Sequence, residues 1–235
     1  MKTVIGNWKS NKNEKEALEW LEIVGPKLGK INNLDVSLAP QFPVLSLLKK
    51  EIDQKQYPLT LSAQDVGPFD EGAYTGEVSA KILADLVKYV LIGHSERRKN
   101  FNETDEMVVQ KTKMAVKYGL IPIVCLPDLE VLKEIKNFSK DDLKRVIFMY
   151  EPPEAISKPI GPIGVGTAAS IIEVLRMIKQ IKNLTPKSKI FYGGSVKSNN
   201  VKIYVQEAEI DGVVIGSASL NPQEFLKIIK NASQF

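Results

Sequence analysis

The chain has one histidine, His94, and one cysteine, Cys125, in 235 residues. A lone cysteine cannot close an intrachain disulfide, which fits a reducing, cytoplasmic compartment. So few imidazoles and thiols also argue against a zinc site, and no metal is expected. Long hydrophobic runs are missing too. The opening MKTVIGNWKSNK is too polar for a signal peptide, and no stretch is long and apolar enough to span a membrane, so no membrane partner is expected. Charge of one sign is scarce. The net charge is only +4 and is spread along the chain, whereas a nucleic-acid partner calls for a basic stripe. Cys125 stands in IPIVCLPD behind β-branched residues and reads as a buried core thiol, not a nucleophile.

What is present is a rhythm. Short Val/Ile/Leu-rich runs lie at 3–8, 35–40, 59–64, 89–94, 120–126, 145–151, 189–195 and 211–217. They lack clean alternation, as strands buried on both faces do. Helical patterns lie between them, at 13–29, 42–53, 78–87, 104–118, 128–137, 168–182, 198–206 and 221–231. In 169–182 the spacing of Ile172, Leu175 and Ile178, continued at Ile181 and Lys182, predicts a helical face. Thr104 and Asn221 are expected to start helices, Asn221 with Pro222 at the first helical position. Eight strand-helix units without a linker or a composition break predict one closed (β/α)8 barrel over 1–235. A doubly wound sheet is the alternative.

In a barrel the active site sits at the C-terminal ends of the strands. The strand-terminal residues here are Asn7 and Lys9, then His94 and Glu96, then Glu151, then Gly193-Gly194-Ser195, then Gly216-Ser217. YGGSVKSNN and VIGSASLNP are turns that let backbone N–H groups approach an anion, each followed by a helix start. Two such turns after the last two strands match the usual barrel phosphate position. Glu151 closes an apolar strand, where a carboxylate tends to be a stronger base than in water. His94 precedes SERR, which reads as a helix's first turn with Ser95 as its cap. The positive potential there disfavours imidazolium, so His94 is expected neutral and able to donate N–H to a carbonyl. Asn7 and Lys9 are expected to point the same way, two residues apart on one strand. Glu96 is able to hold Lys9 or to pair with Arg97 or Arg98; sequence alone does not choose.

GNWKSN at 6–11, AQDVGPFDEGAYTGEVSA at 63–80, GHSERR at 93–98, YEP at 150–152, YGGSV at 192–196 and GSASL at 216–220 resemble the triosephosphate isomerase family. Six segments in family order, over nearly the whole chain, make the resemblance specific. It implies a TIM barrel that interconverts dihydroxyacetone phosphate and glyceraldehyde 3-phosphate without a cofactor, in glycolysis and gluconeogenesis. By carry-over, Glu151 moves the proton between C1 and C2, and His94 is the electrophile at the carbonyl oxygens. This family is the standard worked example of that pairing, so the roles come from the resemblance. Asn7 and Lys9 complete the cradle around the enediolate, and Glu96 supports Lys9. Ser195, Gly216 and Ser217 offer N–H groups to the phosphate. GAYTGEVSA resembles the family's protruding third loop, which implies a homodimer with Thr75 near the partner's site and Gln64 at the base of that interface.

The chain departs from the family pattern after its base. The stretch EPPEAISKPIGPIGVGTAAS at 151–170 is longer than the family's lid. Measured from Glu151, Ser157 takes the phosphate-gripping position. A second alignment gives the tip to Ile163-Gly164-Val165-Gly166. Strand eight ends in Gly-Ser where the family has Gly-Gly, and the segment from Cys125 to Glu151 is short. Two other readings remain open at this level: a different phosphate-binding barrel enzyme, disfavoured because strand one offers Asn7 and Lys9 in place of an acid, and a non-catalytic barrel.

Overall fold

The computed structural model describes residues 1–29, 33–128, 138–152 and 168–235. Eight strands run β1 (Lys2–Asn7), β2 (Leu34–Ala39), β3 (Thr60–Ala63), β4 (Tyr89–Ile92), β5 (Ile121–Leu126), β6 (Ile147–Tyr150), β7 (Lys189–Gly194) and β8 (Gly212–Ile215). Each pairs in parallel with the next, and β8 pairs with β1, so the sheet closes into a (β/α)8 barrel. The doubly wound alternative is excluded by that closure. Among the described residues, the α-helices are α1 (Glu14–Val24), α2 (Phe42–Lys55), α3 (Ala80–Ala84), α4 (Ser95–Phe101), α5 (Asp105–Lys117), α6 (Lys140–Leu143), α7 (Ile171–Leu184), α8 (Val201–Val205) and α9 (Pro222–Ala232). The helix expected over 128–137 lies, beyond Asp128, outside the described residues. Asp128 itself is not helical.

Local chemistry fixes where several helices begin. Thr104 Oγ1 accepts the Met107 N–H, and Asn221 Oδ1 accepts the Glu224 N–H at 2.9 Å with Pro222 following, as the sequence predicts. Two expectations fail. Ser95 is not the cap of α4: that position belongs to His94, whose ring accepts the Glu96 N–H. On α7 the buried face is Val174, Met177, Ile178 and Ile181, whereas Ile172 is 78 % exposed and Leu175 only half-buried. Ile171, Val174, Ile178 and Ile181, spaced three, four and three apart, centre the stripe one residue away from Ile172.

Two apolar regions meet at the sheet. Ile5, Leu91, Ile123, Cys125, Met149, Phe191 and Val214 fill the barrel interior, and the larger cluster lies between strands and helices. Cys125 is fully buried, and burial pushes its thiol well up, as a core role requires. The interior is close-packed. A Cβ on Gly212 would lie 2.6 Å from the Thr3 carbonyl and 2.7 Å from the Phe191 ring. Only glycine lets β8 approach β1 while Phe191 fills the lumen.

Candidate active site

Alternation along β6 explains Glu151. Ile147 and Met149 point into the barrel, so the residue two further on continues to that side and emerges at the mouth. The same parity carries Asn7 inward behind Ile5 on β1. Both side chains are buried, at 5 % exposure each.

His94 arrives from the neighbouring face. Gly93, with φ +71°, turns the chain sharply out of β4, and a Cβ there would meet Arg98 and Val108 at 2.9 Å. Its N–H donates to Glu103 Oε1 at 3.0 Å and its carbonyl accepts from Arg98 Nε at 2.8 Å, so both peptides around it are held. Behind them, fully buried Lys111 bonds Asp65 at 2.7 Å and Glu103 at 2.8 Å. Sequence reasoning did not find this support; a lysine in the middle of an amphipathic helix gives no sign of being buried.

The turn aims the imidazole Nε2 at Glu151 Oε1, 2.8 Å away, and the Ser95 N–H reaches Glu151 Oε2 at 3.2 Å. Burial alone would suppress both charges. The facing partners outweigh it, raising the His94 pKa and lowering that of Glu151. The stronger base expected of Glu151 is therefore absent in this arrangement, because His94 and the Ser95 N–H stabilise its anion. For His94 the geometry sets a second condition. Nδ1 accepts the Glu96 N–H at 3.2 Å, which assigns the ring proton to Nε2. An imidazolium would have to give up that bond at the start of α4, where the helix dipole already opposes positive charge. A neutral ring donating from Nε2 makes both contacts, while the facing carboxylate, by raising the His94 pKa, works against the neutral form that the sequence reading expects.

Lys9 reaches the mouth by another route. It lies beyond β1 with φ +52°, so strand alternation does not orient it, contrary to the sequence expectation. That left-handed backbone costs a residue with a Cβ about 1–2 kcal/mol. Its ammonium pairs with Glu96, which settles the choice left open among Lys9, Arg97 and Arg98. Arg97 instead meets Asp65 and Glu103, and Arg98 meets Asp105.

The expected phosphate residues sit beside this group. Gly194 pairs with Ile215, so the turns carrying Ser195 and Gly216-Ser217 leave the sheet side by side. A Cβ on Gly216 would be 3.8 Å from Lys9 Cε, which puts this turn against the lysine stem. Ser217 begins a short 3-10 turn, Ser217–Leu220, and needs no left-handed backbone. The five-residue α8 starts only at Val201, so no helix opens directly on the Ser195 turn. Ser157 and the 163–166 alternative lie outside the described residues. Thr75 is exposed in the 64–80 segment, flanked by Tyr74, which stacks on Phe69 with centroids 4.2 Å apart. Gln64 stands at that segment's base and bonds within its own chain, to the Lys9 and Ala39 carbonyls.

The mouth thus gathers a buried carboxylate, an imidazole N–H donor and an ammonium, with the Asn7 amide at the end of β1. A base facing aligned donors suits abstraction of a proton next to a carbonyl. The family profile described as triosephosphate isomerase matches residues 2–232. A triosephosphate isomerase from Mesomycoplasma hyopneumoniae (strain 7448) is 39 % identical over 254 aligned positions, covering 98 % of this chain and 99 % of that protein. Those from Mycoplasma mobile and Fusobacterium nucleatum are 39 % and 37 % identical, each covering 97 % of this chain and 99 % and 97 % of their own lengths. Among the described residues, no helix is long and apolar enough to cross a membrane.

Proposed function

The chain belongs to the triosephosphate isomerase family, and from that premise we propose that it interconverts dihydroxyacetone phosphate and D-glyceraldehyde 3-phosphate through an enediolate. The observation that carries this reading is the buried Glu151–His94 pair at the C-terminal mouth of the barrel, 2.8 Å apart, with Lys9 paired to Glu96 two residues on from His94. Glu151 takes a proton from the carbon next to the carbonyl and returns it to the other carbon. To do so its carboxylate leaves His94 and the Ser95 N–H. Losing those donors restores the basicity that they suppress. His94, relieved of Glu151, turns its Nε2–H to the carbonyl oxygen. Lys9, held by Glu96, and the Asn7 amide stabilise the negative charge that grows there. Ser195, Gly216 and Ser217 bind the phosphate through backbone N–H groups, with Ser157 from the segment after the base. No cofactor takes part.

Thr75 and the exposed Phe69–Tyr74 stack fit a contact with a second copy, so the working form is a homodimer joined through the 64–80 segment. Its place is the cytoplasm, in glycolysis and gluconeogenesis. The experiment is a coupled assay of purified protein on glyceraldehyde 3-phosphate that counts turnover and released inorganic phosphate together. Fast isomerisation with little phosphate release is the expected result, since a shielded enediolate does not eliminate phosphate. Folded protein without turnover would sink the reading.

A further inference from the structure

Lys9 holds a backbone conformation that nothing in lysine favours, so its surroundings must impose it. Side-chain amides grip it from both sides. Asn7 Oδ1 accepts the Lys9 N–H at 3.0 Å. Gln64 Nε2 donates to the Lys9 carbonyl at 2.9 Å and to the Ala39 carbonyl at 2.8 Å. Both acceptors are carbonyl oxygens, so the group facing them is the NH2 of Gln64. Its two hydrogens match two acceptors. Ala39 ends β2 and also accepts the Trp8 N–H at 3.1 Å, and Trp8 is fully buried. The clamp is therefore braced on the barrel and reaches out to Lys9, where the chain turns away from β1.

We propose that Gln64 is a positioning residue: by tying the Lys9 carbonyl to the end of β2 it keeps Lys9 left-handed and its ammonium in the mouth beside Glu96. The proposal rests on the reading above, in which Lys9 serves the isomerisation. It assigns Gln64 a task inside its own subunit, separate from any contact with a second copy; its donors are engaged within the chain and only Oε1 is left for a partner. No other common side chain of this length does the same. Methionine has no donors. Glutamate would face two carbonyl oxygens with a negative charge. Asparagine is one methylene shorter.

The test is Gln64→Met, with Gln64→Glu as a second variant if the first does not fold. The expected result is a kcat/KM at least tenfold below wild type that stays the same over a hundredfold range of protein concentration. In a Lys9→Gly background, where neither strain nor ammonium remains, Gln64→Met is expected to change the residual kcat/KM by less than twofold. Activity that returns as protein concentration rises would assign Gln64 to subunit assembly and overturn the proposal. A crystal structure of the variant gives a readout independent of turnover. Loss of the left-handed φ at Lys9, or of its contact with Glu96, is expected. A variant that keeps both overturns the proposal. Wild-type protein without isomerase activity would sink the isomerase reading and leave this crystallographic comparison to decide the role of Gln64.

Discussion

At the scale of single residues, the site is a balance between burial and partners. Glu151 is buried, yet His94 and the Ser95 N–H hold its pKa below the ordinary 4.5. A carboxyl whose native value lies below its unfolded one contributes stability above the unfolded value and loses it as pH falls through the lower native value. Catalysis that needs the anion follows the same limb. Replacing His94 with Ala removes one of these donors and gives burial more weight, so the acid limb of kcat/KM is expected to move to higher pH. The profile is to be corrected for the substrate phosphate's own ionisation near about 6. A limb that stays put would show that His94 does not hold Glu151 down. Glu151→Gln is expected to lower kcat by roughly 10²–10⁴, the usual worth of a general base, with an unchanged circular dichroism spectrum. The identities of these residues were legible in the sequence because they end apolar runs. Their mutual contacts were not, since β4 and β6 meet only through β5.

Elements follow from patterns that sequence carries well, with exceptions that show its limits. The caps at Thr104 and Asn221 need only a side chain and the next turn's N–H groups, so they are readable locally. Asn221→Ala is expected to destabilise the fold by about 1 kcal/mol in urea titration without altering kcat. The face of α7 was misread because apolar residues outnumber the places the barrel offers. Ile172→Ala is expected within about 0.5 kcal/mol of wild type and Ile178→Ala to cost about 2–5 kcal/mol. Equal costs at the two positions would contradict the observed burial. The start of α4 was misplaced by one residue, because histidine is a rare cap and its ring nitrogen accepts the N–H that a serine was expected to take.

For the molecule as a whole, closure of the sheet is what makes the site. Gly212 sits at the seam between β1 and β7, where a Cβ has no room. Gly212→Ala is expected to cost about 1–3 kcal/mol and to lower the thermal midpoint. A variant as stable as wild type would mean that the seam relaxes. A homodimer places a further demand on the exposed 64–80 segment. Thr75→Arg is expected to make specific activity depend on protein concentration, with a matching shift toward monomer in sedimentation. Concentration-independent activity would remove that segment from assembly.

The sequence by itself determined the number and order of the strands, the barrel class and which of the described residues end those strands. Each of these depends on local spacing, on strand parity or on motifs that survive as strings. Only the tertiary structure decided that Glu96 takes Lys9, that Arg97 joins a buried network with Lys111, and that Gln64 grips the Lys9 carbonyl. Those pairings join residues up to 87 positions apart. A long charged or amide side chain has several partners within reach of its chemistry, and closure of the barrel leaves it one.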